Sequence, residues 1–297
     1  IIQHEWYVHN GSIDFLRHHR AYITGVIDRI DECVDEEGNE NLAKQRFLDW
    51  PSSPNQPGVE AGCRALLSWA LKDAEVLCNL LEEQEHAKKC RAISKRLKKQ
   101  IKQPNGLKQA AALMSIAGLM KPEQACSEVI SVDGAKDFST FYGYYMLQAL
   151  AQAGEYQQAL DIIRQYWGGM LDLGATTFGK ISIWTGSIMP PDWMISFLRA
   201  KMIFMEISAI IVIPVSDIAS ATAGLPALPP WMTQHILGVE IVDAGCKTLR
   251  ITPHLGDLEW TEGTFPTPLG IVYIKHVKGA DGKIVSTVKA PDGIKVI

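Results

Sequence analysis

The chain has 297 residues, 47% of them hydrophobic and 21% charged, with a formal charge of −4. That composition excludes a disordered chain, a collagen-like chain and a small disulfide scaffold, and leaves one large globular domain or two smaller ones. It offers no dominant basic surface to nucleic acid, and the most apolar run, residues 202–215, carries Glu206 and Pro214 and is too short for a membrane span, which needs about 20 apolar residues.

Helical spacing dominates the first 170 residues. Phe15, Leu16, Tyr22, Ile23, Val26, Ile27 and Ile30 predict one amphipathic helix over residues 15–34. Residues 47–51 read as a loop held extended by proline. A second helix follows over 60–81, with Leu66, Leu67, Ala74 and Leu77 facing inward, and a third over 85–101, with its basic residues toward the C-terminal end of the helix dipole. Pro104-Asn105-Gly106 breaks it. Short helices are predicted at 109–119 and 122–129, and a pair at 138–153 and 157–167, turned at Gly154-Glu155. Residues 179–230 then break the pattern: only Lys180, Asp192, Arg199, Lys201, Glu206 and Asp217 are charged among these 52 positions, about half the density of the whole chain. The last 60 residues change period. Runs at 239–242, 248–251, 270–277 and 283–288 read as strands, with Asp281-Gly282 as a hairpin turn. The expected plan is a helical-hairpin domain over 1–236 and an antiparallel β-sandwich domain over 237–297.

Six cysteines (Cys33, Cys63, Cys78, Cys90, Cys126 and Cys246) form no C-x-x-C pair and have no histidines at zinc spacing, so reduced core thiols and no metal site are expected. No basic segment or cleavage site marks the start, so the cytoplasm is the expected location. Opening at Ile1 rather than Met, the chain is expected to begin inside a domain. A helical-repeat adaptor is an alternative, since residues 154–160 superficially resemble a tetratricopeptide unit, but no 34-residue period recurs.

Longer motifs are more specific. His4-Glu5-Trp6-Tyr7, Phe47-Leu48-Asp49-Trp50-Pro51, the aromatic run from Phe141 to Leu150, Tyr166-Trp167-Gly168-Gly169 through Gly174-Ala175-Thr176-Thr177-Phe178, and Pro253-His254-Leu255-Gly256-Asp257-Leu258-Glu259-Trp260 occur in that order. On these residues the chain resembles glycoside hydrolase family 78, the α-L-rhamnosidases, over about 245 of its 297 residues. The resemblance implies a mainly α fold, an incomplete (α/α)6 toroid of the six-hairpin glycosidases, followed by the β-sandwich. It implies inverting hydrolysis of terminal α-L-rhamnosides, with a rhamnose-containing glycan or glycoside as partner and no cofactor. In such a reaction one carboxyl group protonates the leaving oxygen and another activates water, the two standing roughly 6.5–9.5 Å apart.

By the same resemblance the general acid lies upstream of Ile1. The base is a glutamate two residues after the phenylalanine of a Thr-Thr-Phe motif, where this chain has Lys180. An ammonium cannot take that proton at neutral pH without a large pKa depression. Residues 178–186 can be encoded so that the same bases, read two positions later, spell Trp-Glu-Asp-Phe-Asn-Leu-Asp-Trp, the family's motif. Residues 215–224 at the same offset yield a histidine-bearing helix of the family. Residues 179–230 are therefore expected to be out of frame, and the polypeptide as written to be inactive; a natural insert is the alternative. Asp49 and Trp50 are expected at the mouth of the sugar site, as hydroxyl acceptor and stacking indole, with a helix cap and a core tryptophan as the plainer reading. Glu5, Trp6 and Trp167 are further substrate-binding candidates, with packing as the plainer reading; Tyr142, Tyr144 and Tyr145 are expected in the core, and His254 and Trp260 in structural roles. Glu5 and Asp49 do not map onto the acid/base pair. A non-catalytic carbohydrate-binding or scaffold protein on the same fold is the second functional reading.

Overall fold

The computed structural model describes residues 1–41, 46–49, 51–172 and 228–297. Lys180, the Thr-Thr-Phe motif and the expected out-of-frame segment up to residue 227 lie outside them, as does Trp50.

The helical part begins with α1 (Ile2–Asn10), α2 (Ile13–His18) and α3 (Arg20–Cys33). The single helix expected over 15–34 is thus two. His19 leaves helical geometry at ψ 6°, and its Nδ1 lies 2.8 Å from the Phe15 carbonyl, a side-chain bond competing with the backbone ladder. Next come α4 (Gln56–Leu80), α5 (Gln84–Leu97), α6 (Lys108–Ala117), α7 (Pro122–Ala125), α8 (Thr140–Gln152), α9 (Tyr156–Ile163), α10 (Gly169–Asp172) and α11 (Leu228–Trp231). Wide turns extend α7, α9 and α11 by five residues each.

Helix α4 starts where Asn55 accepts a hydrogen bond from the Gly58 amide and Pro57 occupies the first turn. α4, α6 and α8 pack side by side, with α5, α7 and α9 as return helices. The middle helix is buried nearly all round, and its Ala110, Ala111 and Ala112 let its neighbours approach closely. α5 instead buries one stripe, Ala87, Cys90, Ile93 and Leu97, against Leu16, Ile23 and Ile27 of α2 and α3. No described helix is long and apolar enough to cross a membrane.

Two three-stranded sheets follow. β1 (Val239–Asp243), β2 (Thr248–Ile251) and β6 (Lys295–Val296) form one, in which β6 pairs with β2 in parallel. β3 (Trp260–Thr267), β4 (Gly270–Lys278) and β5 (Ile284–Lys289) form an antiparallel meander, with Asp281-Gly282 in the β4–β5 turn. Val239, Leu249, Phe265, Val272 and Ile274 fill the space between the sheets. Strand β3 was not expected, because Gly263 and Pro266 interrupt its alternation; its eight-residue register with β4 overrides them. The result is a mainly α chain, an arc of helical hairpins, with a strand-rich C-terminal part.

Candidate carbohydrate site

A cleft of about 1110 Å³ opens between α1, α8, α11 and the sandwich. Helix α1 contributes His4, Glu5 and Trp6, α8 contributes Phe141, Tyr144 and Tyr145, and Gln234 and Phe265 close the far side. The sequence placed Tyr144 and Tyr145 in the core. They are half-buried and line the cleft, because residues 141, 144, 145 and 148 share one face of α8 at helical spacing. The ring centroids of Tyr144 and Tyr145 are 5.3 Å apart, and Tyr145 lies 5.6 Å from Tyr142 and 5.9 Å from Trp69 of α4. Trp6 stacks on Phe15 at 3.7 Å and keeps 36% of its surface exposed.

The electrostatics of the cleft centre on α1. Asp73 of α4 is buried and receives His4 Nδ1 at 3.2 Å. Crowding by the cleft walls raises the Glu5 pKa above the ordinary glutamate value, and the Asp73 charge raises it further. Burial, and after it the charge of Glu5, pushes Tyr145 up to about 12, so its phenol keeps its proton at any ordinary pH. The arrangement offers a carboxyl group and several aromatic faces in one concavity, the combination that suits a ring with hydroxyls on its edge and C–H groups on its face.

The other predicted residues are placed differently. Asp49 is buried rather than open at a mouth, and its Oδ2 accepts the Ser139 hydroxyl at 2.5 Å, fastening its loop to the N-terminus of α8. It does not cap α4; Asn55 does. Its charge and the surrounding burial both raise the pKa of buried Tyr142, burial more. Trp167 does not wall the cleft. Its indole is 2% exposed and packs on Gly143, where an added Cβ would lie 2.7 Å from Cη2.

The motif from Pro253 to Trp260 proves to be the joint between the two parts. His254 stacks on Tyr156 of α9 at 3.7 Å with an interplanar angle of 6°. Leu255 is buried. Gly256 adopts φ +54° against Gln157 and Leu160, where a Cβ would come within 2.6 Å of Gln157 Oε1. Asp257 receives Arg164 in a two-pronged ion pair, at 2.7 and 2.9 Å. Trp260, expected to be structural, opens β3 with 60% of its surface exposed. All six cysteines are free thiols, and no group of three or more acidic, histidine or cysteine side chains among the described residues could hold a metal ion.

No protein-family model matches the chain, and no curated protein sequence does. Solved structures do. The family 78 rhamnosidase of Bacillus sp. GL1 superposes with a TM-score of 0.76 at 22% identity, over 99% of this chain and 31% of that one. The α-L-rhamnosidase of Streptomyces avermitilis complexed with L-rhamnose gives 0.72 at 16% identity, over 98% and 28%. The α-L-rhamnosidase of Aspergillus terreus gives 0.74 at 15% identity, over 99% and 35%. This chain spans about a third of the length of these structures. Its fold is that of a helical-hairpin glycosidase joined to a β-sandwich. Over this span that is the fold of the family 78 α-L-rhamnosidases.

Proposed function

We propose that this chain is part of an α-L-rhamnosidase-like glycoside hydrolase, and that its cleft takes a terminal rhamnose-type sugar. The observation that carries this reading is the meeting of Glu5 with Trp6, Phe141, Tyr144 and Tyr145 in one concavity of a rhamnosidase fold. Ring faces stack on the aromatics, while the Glu5 carboxyl meets hydroxyls. The reaction of the whole enzyme is inverting hydrolysis, which requires a proton donor on the leaving oxygen and a base on water.

The 297-residue polypeptide binds the sugar without cleaving it, because Lys180 stands where the resemblance puts the base. Glu5 is a sugar-binding group, not one of that pair. Titration calorimetry with L-rhamnose tests the binding. Glu5→Gln, which keeps hydrogen-bonding capacity, is expected to weaken affinity several-fold, and Glu5→Leu more. Unchanged binding in Glu5→Leu would remove the cleft from the account.

A further inference from the structure

One hydrogen-bond chain reaches from the joint into the cleft. His235 Nε2 lies 2.7 Å from Gln148 Oε1. Gln148 Nε2 donates to Tyr144 Oη at 2.8 Å and to Gln234 Oε1 at 2.6 Å. All three polar positions of the Gln148 amide are therefore engaged in one direction: its oxygen accepts the His235 N–H and its two N–H groups donate. Tyr144 Oη thus already receives a hydrogen, and among the described residues no side chain or carbonyl accepts its own. The reverse chain needs the other histidine tautomer and a reversed Gln234 amide as well.

We infer that Gln148 and His235 are positioning residues that fix Tyr144 as a hydrogen-bond donor into the cleft, directed at an acceptor oxygen of the bound sugar. This rests on the sugar-binding reading above. A phenol left free would rotate to suit either a donor or an acceptor. A phenol already holding a donated hydrogen selects an acceptor, here a ring or hydroxyl oxygen. The signal in the sequence was a glutamine four residues after Tyr144, at the spacing that puts both on one helix face.

Two measurements on the whole chain test this. The tyrosine Fermi doublet in ultraviolet resonance Raman spectra separates donor from acceptor phenols. In the difference between wild type and Tyr144→Phe, Tyr144 is expected to carry the signature of a phenol that accepts as well as donates. Gln148→Glu keeps the acceptor for His235 but removes the donor, so Tyr144 is expected to turn and show the donor-only signature toward the carboxylate. A donor-only signature in the wild type, or an unchanged one in Gln148→Glu, overturns the inference; if Gln148→Glu does not fold, the wild-type spectrum decides. With L-rhamnose as the probe, Tyr144→Phe and Gln148→Glu are each expected to weaken binding about fivefold to tenfold, as the loss of one neutral hydrogen bond implies. Full affinity in Tyr144→Phe also overturns it. If the wild type shows the expected signature but does not bind L-rhamnose, the sugar-binding reading falls and the direction of the chain stands.

Discussion

Asp49 shows how a residue matched by motif can serve the fold first. Its buried carboxylate holds the Ser139 hydroxyl, so the loop after residue 46 is pinned to the start of α8. Removing it leaves that hydroxyl without its acceptor in a buried setting, a loss of about 1–3 kcal/mol. Asp49→Ala is therefore expected to lower the urea midpoint clearly, and Asp49→Asn, which still accepts, to lower it less. Equal midpoints for wild type and Asp49→Ala would show the bond to be idle. His235 provides the pH counterpart. Burial, with a smaller part from neighbouring His254, holds its pKa down to about 4. Its folded pKa lies below the unfolded value near 6.5, so the unfolded chain takes up a proton that the folded chain refuses. This contribution to stability is complete above pH 6.5 and is lost as the pH falls toward 4. Thermal melts of His235→Gln should show a shallower decline across that window than wild type; parallel declines would contradict the shift.

At the scale of the element, α8 serves both the core and the cleft. Its Ala149 and Leu150 build the core, its Gly143 admits Trp167, and its opposite face lines the cleft. Gly143→Ala would drive a Cβ into an indole that is 2% exposed and has nowhere to go, at a cost of about 1–3 kcal/mol. Among the described residues, a Cβ added at Gly25 of α3 meets nothing within 4 Å, so Gly25→Ala is expected to stabilise by up to about 1 kcal/mol through helix propensity. Opposite signs for the two variants in chemical denaturation are the prediction; the same sign would refute the packing argument. Helices α3 to α9 and the β4–β5 hairpin were legible in the chain, since apolar periodicity and Asp281-Gly282 are local signals. The short helices at α1 and α11, the break at His19 and strand β3 were not. The break at His19 depends on a side-chain bond to Phe15, and β3 depends on pairing with β4, so neither is written in local propensity. Which aromatics of α8 face inward was equally hidden: Tyr142, Tyr144 and Tyr145 share one spacing, and only the placement of α1 and the sandwich separates core from cleft.

For the whole molecule, the helical arc and the sandwich are held together by residues of the Pro253–Trp260 motif. The load is uneven. The Arg164–Asp257 pair is about half exposed on both sides and screened by solvent, whereas the burial of Leu255 contributes more. The long motifs of the sequence thus divide into three uses: the joint, the pinning of α8, and the cleft. Their order in the chain revealed the fold, but their separate uses came only from the contacts. Glu5 and Trp6 drew notice only through their motif, and it is the placement of α1 opposite α8 that puts them in the cleft. Trp167 was not legible as core, because an indole on a helix can serve either use until Gly143 is set against it.

A chain with this fold is expected to hold a terminal rhamnoside in its cleft without cleaving it. Saturation-transfer NMR of the 297-residue chain with an aryl α-L-rhamnoside reads both halves at once. Saturation is expected to reach the sugar's ring and methyl protons, with no anomeric signals of free rhamnose accumulating. Free rhamnose released in proportion to the protein, or no transfer to the sugar at all, would contradict it.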